Sequence, residues 1–226
     1  MDPILTPRDG GMLYTETDLT RLFPEPLNAI TSLFFLVLAA YWLWKLRGKY
    51  RQHAYLTFSV VLLSIGAIGG SIYHGLRIWR VFIMMDWLPI MLLCVFTGIY
   101  FIVRLTRWYW AALVVIVYGI FQYLARQQMR VGGNIQLFIN VNYSILGLLV
   151  LGPVLAYLLK TNFAHGKWVG FALVAFLLAL LFRVVDGYEW FAFGTHFLWH
   201  TFGAIAGFCM LEFLYRINHD VSSPRP

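Results

Sequence analysis

Val169-Gly-Phe-Ala-Leu-Val-Ala-Phe-Leu-Leu-Ala-Leu-Leu-Phe182 contains no polar side chain. A helix facing water keeps one polar stripe, and a half-buried strand alternates, so a run that is apolar on every face belongs to a helix surrounded by lipid or protein. Extended to 167–185, the segment is long enough to cross a hydrocarbon core of about 30 Å at about 1.5 Å per residue. Working outward, six more stretches of this kind are bounded by charged or Gly-rich turns: 28–46, 54–75, 79–103, 108–125, 134–159 and 194–215. A membrane β-barrel would alternate in segments of about ten residues, which these do not.

The whole chain agrees. Of its 226 residues, 61% are apolar and 12% charged, where a soluble domain has about 45–50% and about 25%. Disorder and a disulfide-stapled secreted scaffold are excluded. Cys94 and Cys209 lie in mid-segment and read as small buried hydrophobes. The reading is therefore an all-α membrane protein, a seven-transmembrane helix bundle forming a single domain over 1–226. Residues 1–26 make a polar N-terminal segment without a cleavable leader, so the first helix is expected to direct insertion, and 216–226 make a short tail.

The net charge of +7 does not point to nucleic acid, because the basic residues sit in short connectors. Ten of the 17 Lys and Arg fall after helices one, three and five or in the tail, and the first connector alone holds Lys45, Arg47, Lys49 and Arg51. The positive-inside rule then places the N-terminus outside and the C-terminus in the cytoplasm. The expected location is a multi-pass protein of the plasma or inner membrane in a bacterium, or of an endomembrane in a eukaryote.

Ionisable groups inside spanning helices are costly and so are informative. Ser71 and His74 near the end of helix two, Asp86 near the start of helix three, and His196 and His200 at the start of helix seven all come to one depth on the outer side. The i, i+4 pair His196 and His200 stacks on one helix face, able to reach a single metal. Two histidines hydrogen-bonded into the interior are the simpler alternative, but His74 at the same depth turns the balance toward a three-histidine zinc site. Zinc so held keeps a position for water and lowers its pKa to about 7. Asp86 fits either a general base or an acceptor that orients a ligand histidine. Ser71, three residues before His74, fits an oxyanion donor or a helix-packing serine beside Gly66, Gly69 and Gly70.

Elsewhere, Arg183 and Asp186 read as a surface or interhelical ion pair. His53, His165 and His219 read as solvated, and Glu212 as structural. Asn140, Asn142, Gln122 and Tyr143 suit either a cavity or interhelical hydrogen bonds.

Ser71-Ile-Tyr-His74, Asp86-Trp-Leu-Pro and His196-Phe-Leu-Trp-His200, in this order on separate helices, resemble the alkaline ceramidase family, part of a wider group of seven-helix membrane hydrolases that includes adiponectin-type receptors. Glu25-Pro-Leu-Asn28-Ala-Ile-Thr-Ser32 resembles the Glu-x-x-Asn segment that opens the family's first helix. The resemblance implies zinc on His74, His196 and His200, assistance from Asp86 and Ser71, a membrane lipid amide such as ceramide as substrate, and Trp199 lining the acyl site. It also implies calcium held by Glu25 with Glu16 and Asp18. Two departures are visible: Gly70 stands where the family carries its serine, and the spacing from His74 to Asp86 is one residue longer than usual.

The function expected is zinc-dependent hydrolysis of a lipid amide, ceramide and water giving a sphingoid base and a fatty acid. The alternative is a non-catalytic receptor or scaffold with a structural zinc. Bis-histidine haem ligation is disfavoured because both His196 and His200 lie on one helix face. A retinal Schiff base is excluded because the last helix has no lysine.

Overall fold

The structure, a computed structural model, describes residues 7–130 and 132–222. Among these residues it is all-helical, without strands. Seven helices follow in order: α1 (Pro26–Lys45), α2 (Ala54–Leu76), α3 (Arg80–Leu105), α4 (Trp108–Arg130), α5 (Ile135–Lys160), α6 (Gly166–Val184) and α7 (His196–Ser222), with a 3-10 turn at Val185–Tyr188 between the last two. All seven are long and apolar enough to span a membrane, the property of a multi-pass membrane protein.

The chain forms two compact units, and the division falls inside α3 just after Pro89 and Ile90. In the unit comprising Met1–Ile90 and His165–Pro226, α7 packs on α6 and α1, and α1 packs on α2. At one end of the α1–α7 contact, Lys45 pairs with Glu212 at 2.7 Å and lies over the buried Trp42 ring. Glu212 also holds Arg216 on the next turn. Close approach of α3 to α2 depends on small residues: a methyl group added at Gly69 would collide with Cβ of Met85.

The start of α1 is made by a carboxylate from elsewhere in the chain. Pro26 opens α1, where a missing N–H costs nothing, and the next two amides, of Leu27 and Asn28, are taken by Glu16 Oε1 and Oε2 at 2.5 and 2.9 Å. A negative group at a helix N-terminus is also favoured by the helix dipole.

The second unit, Met91–Ala164, holds the remainder of α3 with α4 and α5. Gln122 Nε2 donates to Tyr118 Oη and Asn142 Oδ1, and Tyr118 Oη donates to Asn142 Oδ1 at 2.9 Å. Tyr118, Gln122 and Asn142 thus satisfy one another across the helix pair, as the interhelical reading of Gln122 and Asn142 expected.

Candidate metal centre

His74 lies in the last turn of α2, and His196 and His200 occupy the first two turns of α7. All three are buried. Their ring centroids are 5.5 Å (His74–His196), 4.9 Å (His74–His200) and 4.9 Å (His196–His200) apart. Each offers a ligand atom within 4.8 Å of the others, and among the described residues this is the one such group of three or more His, Cys, Asp or Glu. Nε2 of His74, Nδ1 of His196 and Nε2 of His200 are buried without a hydrogen-bond partner. Leaving a buried polar atom unsatisfied costs about 1–3 kcal/mol. Three such nitrogens in one place are the donor set that a tetrahedral zinc uses, with a fourth position open.

In two of the three histidines the opposite ring nitrogen is held. Glu25 Oε2 lies 2.5 Å from His74 Nδ1, so the carboxylate accepts that ring N–H and leaves the Nε2 lone pair for a metal. Ser32 Oγ lies 3.3 Å from His200 Nδ1 and donates its own proton to the Asn28 carbonyl at 2.9 Å. The hydroxyl therefore accepts from Nδ1–H, which again frees Nε2; the tautomer follows from this network. His196 is fixed through its backbone N–H, which donates to Asp186 Oδ1 at 2.9 Å, and through its ring, on which Tyr14 stacks at 3.9 Å.

Gly70 shows where Asp86 lies. It shares a face of α2 with His74, one turn away, and a methyl group added there would sit 2.5 Å from Asp86 Oδ1 and 3.3 Å from Ser32 Oγ. Asp86 and Ser32 thus come together at the histidine level. Ser71 is three residues before His74 on the same helix. Its hydroxyl is buried without a partner, and the hydroxyl that touches a ligand histidine belongs to Ser32. Trp199 is buried with the Arg183 guanidinium 5.4 Å over its ring.

The three acidic residues linked with calcium go separate ways. Glu25 is turned to His74 and Glu16 caps α1, while Asp18 takes Arg21 at 2.8 Å and the amide and hydroxyl of Thr20. Burial raises the Glu16 carboxyl above its ordinary range, although the Leu27 and Asn28 amides favour the anion. Burial also pushes Glu25 up, but its hydrogen bond with His74 and the charge of Arg77 more than offset this and hold the group below its ordinary value.

Two expectations are corrected. Arg183 and Asp186 are buried, not a surface pair, and Asp186 spends its carboxylate on backbone amides of Thr15, Thr195 and His196. His53 is also buried rather than solvated, packed 5.1 Å from the Tyr215 ring. The residues that sequence reasoning missed are Ser32, Tyr14, Asp9 and Arg77, together with Asp186 in its supporting role. Ser32 carried a signal, since Glu25, Asn28 and Ser32 form a polar stripe on one face of an otherwise apolar helix.

The chain matches no family model, and no curated protein matches it in sequence.

Proposed function

We propose that the protein is a zinc-dependent membrane hydrolase that cleaves the amide bond of a lipid, related to the alkaline ceramidases. The observation that carries this reading is the convergence of three buried histidines, each with a ring nitrogen left without a hydrogen-bond partner, with Glu25 and Ser32 behind the rings of His74 and His200. His74, His196 and His200 would hold the zinc, which when bound supplies a Lewis acid for the amide carbonyl and an acidified water.

Asp86 accepts the proton of the attacking water on its carboxylate and returns it to the amide nitrogen as the C–N bond breaks, giving a fatty acid and an amine. Glu25 and Ser32 keep His74 and His200 in the tautomers that present Nε2. Tyr14, stacked on His196, shields that ring from water. The charge bias of the connectors puts the N-terminus and this site on the extracytoplasmic side. A lipid substrate reaches it from the bilayer.

The test is metal analysis and hydrolysis of a lipid-amide panel that includes ceramides and N-acyl amino lipids. Protein purified without chelators should carry about one zinc per chain. His196→Ala should lose both metal and turnover, and Asp86→Asn should lose turnover alone. A metal-free wild type sinks the reading, and zinc without turnover on any lipid amide leaves a structural zinc in a scaffold.

A further inference from the structure

The calcium that the family resemblance implies needs about six to eight oxygen ligands at about 2.3–2.6 Å. The residues here do not fit it. Glu16, Asp18 and Glu25 form no cluster among the described residues. Glu16 has spent both oxygens on the α1 amides, and Asp18 is committed to Thr20 and Arg21. Both oxygens of Glu25 are also taken: Oε2 faces His74, and Oε1 accepts Thr17 Oγ1 at 2.6 Å and Nη1 of Arg77.

A cation is nevertheless present among the buried carboxylates of this segment, and it is part of the chain. The Arg77 side chain is 1% exposed. Its Nε donates to Asp9 Oδ2 at 2.8 Å, Nη2 donates to Asp9 Oδ1 at 3.2 Å and to the Met12 carbonyl at 2.8 Å, and Nη1 donates to Glu25 Oε1. A planar fork between two carboxylates is a geometry that only a guanidinium supplies. The backbone is committed to it as well. Arg77 ends α2 at φ 53°, in the left-handed region, which a non-glycine residue keeps only where its surroundings hold it. Gly11 lies tight against this cluster, since a methyl group there would lie 2.6 Å from Tyr73 Oη and 3.0 Å from Arg77 Nη2.

We propose that Arg77 is the resident cation of the N-terminal acidic segment: bracketed by Asp9 and Glu25, its guanidinium excludes calcium and acts through Glu25 as a positioning residue for His74. The positioning half rests on the zinc reading above; the calcium half does not. With Arg77 in place, Glu25 has one oxygen anchored and the other aimed at His74 Nδ1. Without it, two buried carboxylates face each other with no counter-charge, and Glu25 is free to turn away from His74.

The test compares wild type with Arg77→Ala and Arg77→Lys in detergent. Thermal unfolding with calcium or with a calcium chelator should leave wild type unmoved, whereas calcium should raise the melting temperature of Arg77→Ala by filling the vacated carboxylates. Zinc affinity by chelator competition should fall about 10–100-fold in Arg77→Ala, with partial recovery on adding calcium and a smaller fall in Arg77→Lys. Should Arg77→Ala not fold, the charge-balanced double variant Arg77→Met with Asp9→Asn reads the same zinc affinity, and the same fall is expected. Calcium binding by wild type overturns the cation assignment. Full zinc affinity in either folded variant overturns the positioning role. If wild type holds no zinc, the hydrolase reading fails while the calcium comparison still decides what the cation is.

Discussion

Asp186 Oδ1 accepts the backbone N–H groups of both Thr195 and His196, at 2.7 and 2.9 Å, and so fixes the residue that begins α7. The other oxygen takes the Thr15 N–H at 3.1 Å, next to the Tyr14 ring that stacks on His196. One carboxylate thus sets the backbone of His196 and the cover over its ring. Asp186→Ala leaves buried amides without an acceptor, so we expect a lower melting temperature and a zinc affinity reduced about 10–100-fold, with Asp186→Asn in between. Unchanged zinc affinity in a folded Asp186→Ala protein would mean that the helix alone positions His196.

Gly70 and Gly152 should respond to alanine with opposite signs. At Gly70 the new methyl would sit 2.5 Å from Asp86 Oδ1, whereas at Gly152 in α5 nothing lies within 4 Å. Overpacking costs about 1–3 kcal/mol, and replacing an unconstrained helix glycine returns about 0.5–1 kcal/mol. Thermal unfolding should therefore rank Gly152→Ala above wild type and Gly70→Ala below it. Lipid-amide turnover should fall only in the latter, because Asp86 is the group displaced.

The spans were legible because each is a long, predominantly apolar run between charged or Gly-rich turns, and the ends were less so because hydropathy reports the bilayer, not the helix. Thus α4 continues through Arg126 and Gln127 to Arg130, polar but still helical, and α1 begins at Pro26 because Glu16 is there to take the following amides. The histidines stood out as ionisable groups in apolar surroundings at i, i+4 spacing. Ser32 did not, because a serine in a membrane helix ordinarily bonds the carbonyl four residues back, and Ser32 does that as well as touching His200. The spacing of three from Arg183 suggested an ion pair for Asp186 and gave no hint of its backbone partners. Those partners, the amides of Thr15, Thr195 and His196, are set by tertiary packing that no local pattern encodes.

His53 gives a pH signature away from the metal centre. Burial, with Lys49 nearby, holds its pKa below the ordinary value of about 6.5. The unfolded chain therefore takes up the proton first, and the His53 contribution to stability is lost as pH falls through about 6.5 toward the depressed folded value. The melting temperature of wild type should drop more than that of His53→Gln between about pH 7.5 and about pH 5.5. Parallel curves would show that His53 does not contribute.

The Tyr14 contact with His196 is made by the ring, so phenylalanine should replace it and alanine should not. Loss of a stacked aromatic pair costs about 0.5–1.5 kcal/mol beyond the buried area. Tyr14→Ala should melt lower than Tyr14→Phe. If Tyr14→Phe loses turnover while keeping both stability and zinc, the phenol oxygen takes part in the chemistry and the shielding role is too small a description.

Two serines near the histidines offer the clearest separation of structure from resemblance. Ser71 stands beside His74 in sequence, but its buried hydroxyl has no partner; Ser32 is far away in sequence, and its hydroxyl lies 3.3 Å from His200 Nδ1. Ser32→Ala removes the acceptor for Nδ1–H, so His200 loses both its tautomer preference and its orientation. Zinc affinity should fall about 10–100-fold, the usual consequence of removing a partner behind a metal ligand. Ser71→Ala removes an unsatisfied hydroxyl, so zinc affinity should be unchanged and the melting temperature equal or higher. If the oxyanion role of Ser71 holds, its alanine variant keeps zinc and loses turnover. If neither variant alters turnover or zinc affinity, the hydroxyl groups are packing features and the histidines are held by Glu25, Asp186 and the helices alone.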